Sequence, residues 1–130
     1  MSVIEMISDH PDVDGHLNEK LATAVRHAMY CAAICNSCAD ACLAEEDVAS
    51  RRDCIRKCLD CADICAATTR VASRRAGENV AVLRAMLEMC ATACETCAEM
   101  CSHHDDEHCK RCAKMCRECA ADCRTAAQNL

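Results

Sequence analysis

Cysteines are the residues in this sequence whose type and spacing point to chemistry. The chain has 130 residues and 17 cysteines, sixteen of which repeat the spacing C-x3-C-x2-C-x3-C. Steps of three and four residues keep side chains on one face of an α-helix, within a stripe about 60° wide. The four sets are Cys31, Cys35, Cys38, Cys42; Cys54, Cys58, Cys61, Cys65; Cys90, Cys94, Cys97, Cys101; and Cys112, Cys116, Cys119, Cys123. The pattern predicts four helices, each carrying one row of thiols.

Rows of thiolates are ligands for soft metal ions, chiefly Cu(I), Zn(II) and the iron of iron–sulfur clusters. Zinc takes four ligands in a few closed sites, and an iron–sulfur cluster gathers its cysteines around a compact object. Neither needs an unbroken helical row. Cu(I) accepts two or three sulfur ligands, and thiols four residues apart on a helix can lie on either side of one ion. The pattern favours a store of many Cu(I) ions, with a zinc or iron–sulfur protein as the alternative.

Two further uses of cysteine fit the sequence less well. Disulfide scaffolds are typical of small, loop-rich secreted proteins, and an odd number of cysteines cannot pair completely within one chain. A thiol redox enzyme would need a low-pKa C-x-x-C at a helix N-terminus. Here Cys35-Asn-Ser-Cys38 and its copies fall in the middle of predicted helices. We therefore expect no enzymatic activity.

Composition excludes several other classes of function. The formal net charge of −6 leaves no basic patch for nucleic acid. No apolar run approaches the roughly 20 residues that a membrane span needs. The segment from Met1 to Pro11 has neither the basic start nor the long apolar stretch of an export signal. We expect a cytoplasmic protein without membrane or nucleic-acid partners, in a compartment where thiols stay reduced.

The elements that must position the cysteines are helices. The chain has two glycines, one proline and no Phe or Trp, and its long segments are rich in helix-forming Ala, Glu, Arg, Leu and Met. We predict an all-α fold in one domain over residues 1–130. Its parts are an N-terminal helical segment, 1–15, and helices at about 16–44, 48–73, 79–102 and 106–128. Short connections favour an antiparallel, up-down-up-down four-helix bundle, which brings the four rows of thiols to the same height.

The two ends of this predicted bundle differ in composition. At one end the helices extend about 12 residues beyond the cysteines and offer a set of apolar side chains, among them Leu21, Val25, Val80 and Leu87. We expect them to close that end as an ordinary hydrophobic core. The other end has the turns at 45–50 and 102–108, with Asp47 as a candidate helix N-cap and three histidines in the second turn. We call this end the mouth.

The four cysteine sets resemble those of the bacterial copper storage proteins of the cytosolic kind, over about residues 16–128. The resemblance implies a homotetramer of four-helix bundles, each storing many Cu(I) ions in its core, with no catalytic reaction. It also implies that all seventeen cysteines are Cu(I) ligands, including Cys109, which lies within about 80° of the last row. His104 and His108 resemble ligands at the site where copper enters.

Two side chains near the rows carry a less specific signal. His27 precedes Cys31 by four residues, and Met86 precedes Cys90 by four. Either spacing would suit an additional ligand. A partly buried histidine and a methionine that fills core space are the more common roles at such positions.

Overall fold

The computed structural model describes residues 2–74 and 79–130. It contains α1 (Val3–Ser8), α2 (Glu19–Leu43), a 3₁₀ turn (Val48–Arg51), α3 (Arg52–Ala72), α4 (Val80–Cys101) and α5 (Glu107–Gln128). The described residues include no β-strand, so the predicted all-α fold is confirmed. The predicted break at residues 74–78 lies almost wholly outside the described ranges.

Helices α2 to α5 form the bundle. Helix α2 packs against α3 and α5, and α4 packs against the same two helices, while α1 lies on α2. Contacts between sulfur atoms fix the directions, because Cys54 meets Cys101 and Cys65 meets Cys90 between α3 and α4. Helices α3 and α4 therefore run antiparallel, and so do α2 and α5, where Cys31 meets Cys116 and Cys38 meets Cys109.

Local signals account for where the first helices begin. Ser2 and Glu5 form a reciprocal capping box at α1. Gly15 has a φ of 78°, a left-handed conformation that favours glycine, and it ends the turn that leads to α2. The Asn18 side chain then accepts a hydrogen bond from the Leu21 N–H. This cap sets the start of α2 at Glu19, slightly later than the sequence pattern predicts.

The prediction for Asp47 is right for its N-cap position and wrong for its capping hydrogen bond. Asp47 precedes the 3₁₀ turn, but its side chain makes no capping hydrogen bond. Its carboxylate instead accepts a hydrogen bond from Arg51 Nε at 2.6 Å. An ion pair with a guanidinium thus takes the place of the expected cap.

The closed end of the bundle is an apolar core, as predicted for most of its residues. Leu21, Val25 and Leu87 are buried there. Val80 is an exception, since it begins α4 and is 41% exposed. Alanines also line the interior between the cysteines, and their small side chains allow close approach of the helices. Among the described helices, none has a stretch long and apolar enough to cross a membrane.

Candidate metal site

The interior of the bundle is lined with thiols along most of its length. All seventeen cysteines are buried, and Cys38 is the most exposed of them at 2%. All are free thiols, so no disulfide takes up any of the sulfur atoms. Helical spacing turns each row inward, and the antiparallel packing makes the four rows face one another. The sequence therefore fixes which face of each helix is lined with sulfur.

Neighbouring sulfur atoms lie close enough to share metal ions. Sγ–Sγ distances within one helix include 3.7 Å between Cys31 and Cys35 and 3.8 Å between Cys61 and Cys65. Between helices, Cys35 lies 3.4 Å from Cys116 and Cys31 lies 3.8 Å from Cys94. The second of these contacts joins α2 to α4 across the middle of the bundle. We call this continuous arrangement the sulfur column.

The sulfur column consists of overlapping groups of four. In each group, the four Sγ atoms lie within 4.8 Å of one another, and consecutive groups share members. The all-cysteine groups include Cys31, Cys61, Cys65, Cys94; Cys31, Cys35, Cys61, Cys116; Cys35, Cys97, Cys112, Cys116; and Cys38, Cys58, Cys101, Cys112. An ion in one group would therefore have a ligand in common with an ion in the next. The arrangement suits a chain of linked soft ions better than isolated centres.

A different group lies at the mouth. Cys38, Cys42, Cys109 and His108 place one ligand atom each within 4.8 Å of one another. His108 Nδ1 lies 3.4 Å from the sulfur of Cys38 and 3.5 Å from that of Cys109. The opposite ring nitrogen, Nε2, donates a hydrogen bond to the Glu45 carboxylate at 2.9 Å. We call Cys38, Cys42, Cys109 and His108 the outer tetrad.

Arg51 is a further residue at the mouth, which the sequence pattern does not single out. Its guanidinium is buried and contacts the sulfur atoms of Cys42 and Cys109 at 3.9 and 3.8 Å. It also pairs with Asp47 and, at 2.6 Å, with Asp106, so it joins the two turns of the mouth. The i, i+4 spacing of Asp47 and Arg51 was the available signal. Nothing local in the sequence brings Cys109 or Asp106 to this arginine.

Burial and neighbouring polar groups shift the pKa values of the residues at the mouth. Burial is the main cause that raises the pKa of the Cys42 and Cys109 thiols. Asp47 and Asp106 raise the pKa of Arg51, which therefore stays charged. Burial lowers the pKa of His108, but its hydrogen bonds to Cys38 and Glu45 outweigh this and the net shift is upward.

The other histidines and Met86 do not meet the sulfur column through hydrogen bonds among the described residues. His104 is half-buried at the mouth, where its backbone N–H donates to the Cys101 carbonyl. His27 pairs with Asp122 through Nδ1 on the outer side of α2 and α5. Met86 is half-buried. The ligand role of His104 stays a prediction, whereas the Asp122 contact favours a structural role for His27.

Solvent reaches the outer tetrad from the side of the bundle. Cys38 and His108 line a surface groove of about 520 Å³ between α2 and α5. Its rim carries Arg111 and Lys114, both exposed. The groove therefore exposes part of His108, while the sulfur atoms of Cys38, Cys42 and Cys109 stay buried behind it.

Comparisons with known proteins agree with this geometry. A family model described as "Csp: Copper storage protein" matches residues 17–128. The structure of the copper storage protein Ccsp from Streptomyces lividans, loaded with 10 copper equivalents, is 40% identical, with a TM-score of 0.93. That match covers 99% of this chain and 100% of the other. No curated protein matches the chain.

Two further solved structures are similar over most of this chain. One is described as a cytosolic copper storage protein from Streptomyces lividans with five coppers; it is 43% identical, with a TM-score of 0.84. The match covers 86% of this chain and 95% of that one. The other is the Cu(I)-bound copper storage protein BsCsp3 from Bacillus subtilis, at 32% identity and a TM-score of 0.76. It matches 83% of this chain and 98% of its own.

The raised pKa values of the Cys42 and Cys109 thiols predict how the stability of the metal-free protein depends on pH. Above pH 9.0, the ordinary pKa of a thiol, the unfolded chain loses protons that the folded state keeps on these two thiols. The free energy of unfolding should therefore fall as the pH rises above 9.0. Thermal unfolding of the reduced protein, followed by circular dichroism without oxygen at pH 7 to 10, measures this. The Cu(I)-loaded protein is the control, since its thiolates hold no protons and its midpoint should not decline. A metal-free midpoint that stays constant up to pH 10 would contradict the account.

Proposed function

We propose that this chain, which belongs to the copper storage protein family, stores and detoxifies Cu(I) by binding many ions along its sulfur column. The observation that carries this function is the run of overlapping four-cysteine groups through the bundle. A protein with one or two metal centres has no use for seventeen buried thiols that share ligands from group to group. Zinc and iron–sulfur functions are not favoured.

Charge balance supports Cu(I) as the stored ion. Each thiolate carries one negative charge and each Cu(I) one positive charge, so a filled column is close to neutral. Arg51 is the one buried cation among the residues that the structure describes. Thiolates without bound metal would leave a large uncompensated charge in a region of low dielectric, which is costly. The metal-free column should therefore hold neutral thiols and release protons as copper binds.

We propose all seventeen cysteines as the Cu(I) ligands, with His104 and His108 at the end where copper enters. Burial of every sulfur supports the first part. The contacts of His108 with Cys38 and Cys109, beside an open groove, support the second. Cys38 belongs both to the outer tetrad and to an all-cysteine group, so it can pass an ion from one to the other.

We propose that storage involves no catalytic turnover. Reactive cysteines lie in partly exposed, electropositive surroundings that stabilise the thiolate. Here the thiols are buried in a mostly apolar column. Such surroundings favour neutral thiols that wait for a metal rather than nucleophiles that attack a substrate.

We also propose a cytosolic location and a homotetramer. The Streptomyces lividans relative is described as cytosolic, which supports the location. The tetramer is what the family resemblance implies. An assembly would give a role to Leu43 and Leu59, which are 58% and 42% exposed and line one hollow on the outer face of the bundle.

Storage predicts a high capacity for copper. The reduced metal-free protein should withhold more than about ten Cu(I) ions per chain from a competing chromogenic chelator, in an anaerobic titration. Replacing Cys94, which contacts Cys31, Cys61 and Cys65, by serine should lower the capacity. The exposed Ser37→Ala change should leave it unaltered. Saturation at one to four ions per chain would exclude storage.

Uptake through the mouth predicts a kinetic effect of the histidines. The double variant His104→Ala/His108→Ala should bind as much copper as the original protein, because the sulfur ligands of the column remain. It should load more slowly, because the two histidines at the entry end are gone. Stopped-flow loading at limiting Cu(I) measures this rate. His16→Ala, an exposed change outside the mouth, is the matched control. Equal loading rates for the double variant and the control would rule out this route.

A further inference from the structure

We infer that the outer tetrad is a separate site for one divalent ion of the Zn(II) type, occupied when the protein holds no copper. This inference rests on the proposed copper store in one respect: the divalent-ion site and the store share Cys38, Cys42 and Cys109. Three thiolates and one imidazole nitrogen are a common ligand set of tetrahedral structural zinc. The four all-cysteine groups named above offer four sulfur atoms each and no nitrogen.

The distances in the outer tetrad match the edges of a zinc tetrahedron. With Zn–S near 2.3 Å and Zn–N near 2.0–2.1 Å, the edges are about 3.8 Å for two sulfurs and about 3.5 Å for sulfur and nitrogen. Cys109 lies 4.0 Å from both Cys38 and Cys42. His108 Nδ1 lies 3.4 and 3.5 Å from the sulfurs of Cys38 and Cys109. These four edges are within a few tenths of an ångström of the ideal values, and the two remaining edges, from Cys42 to Cys38 and to His108, lie within 4.8 Å.

Glu45 orients the histidine for this role. The Nε2–H of His108 donates to the Glu45 carboxylate at 2.9 Å, which leaves Nδ1 as the nitrogen directed at the sulfurs. Metal-binding histidines commonly donate their second N–H to a carboxylate, which fixes the ring and makes the ligand more basic. The outer tetrad therefore has both a ligand set and a supporting residue of the kind that zinc sites use.

Arg51 places a buried guanidinium directly against two sulfur atoms of the outer tetrad. Three thiolates and Zn(II) leave one negative charge, and the buried guanidinium contacts two of the three sulfurs. Asp47 and Asp106 hold the guanidinium in that position. In an all-cysteine group, four thiolates and Zn(II) would leave two negative charges. The backbone N–H groups nearby already donate hydrogen bonds within the helices, so they cannot stabilise that charge. Divalent ions should therefore bind at the mouth and Cu(I) in the column.

A divalent ion in the outer tetrad would close the copper-free column. It would join α2 to α5 through Cys38, Cys42, Cys109 and His108, beside the groove that Cys38 and His108 line. Cu(I), which soft thiolates bind strongly, would then displace the ion as it enters.

Cobalt(II) titration of the reduced metal-free protein tests this inference, because tetrahedral Co(II) bound by thiolates has a distinctive visible and near-ultraviolet absorption. We expect that absorption to saturate at one Co(II) per chain and to vanish with one equivalent of Zn(II). His108→Ala should change the visible bands and weaken binding at least tenfold. Arg51→Met should weaken binding about 10- to 100-fold with the bands unchanged. Arg52→Met, an exposed neighbour, is the matched control.

Two results would overturn the inference: several Co(II) ions per chain with an all-sulfur spectrum, or a His108→Ala variant with the original spectrum and affinity. The Cu(I) capacity of each variant, measured on the same preparation, separates this test from that of storage. A capacity above about ten ions shows an intact store even where the cobalt site is absent. A lost capacity in the unmodified protein would instead count against storage itself.

Discussion

The burial of many thiols in one column is the constraint on which the rest of the structure depends. A thiol is a small hydrophobe while it is protonated and an unfavourable buried charge once it is ionised. The interior is therefore stable in two conditions, fully protonated or balanced by bound cations. Monovalent Cu(I) satisfies the second condition nearly one for one. The apolar core at the closed end, around Leu87 and Val25, stabilises the bundle in both.

The mouth obeys the same constraint with different residues. There the sulfurs of Cys42 and Cys109 have a cationic neighbour in Arg51, and Cys38 has an imidazole in His108. At this end the sulfur atoms thus have hydrogen-bond donors from the protein as neighbours, whereas elsewhere their neighbours are mostly other sulfur atoms. This difference lets the outer tetrad accept ions in a charge state that the column disfavours.

The periodic part of the molecule could be predicted from the sequence, and the contacts between the turns could not. Steps of three and four residues determine the face of a helix, so the inward direction of the rows from Cys31 to Cys123 followed directly. Arg51 stands in a turn, where no period applies, and its partners Cys109 and Asp106 are far away in the chain. For the same reason the local sequence indicates a capping role for Asp47 and not its pairing with the Arg51 guanidinium. Val80 was assigned to the core because its type fits, although its place at the start of α4 leaves it exposed.

X-ray absorption at the copper edge of the fully loaded protein tests the central claim most directly. The account predicts copper in the +1 state, bound by sulfur alone or nearly so, with other copper ions as near neighbours, because consecutive groups of thiols share ligands. A spectrum dominated by nitrogen or oxygen ligands, or one without copper neighbours, would show that the column does not hold a continuous store.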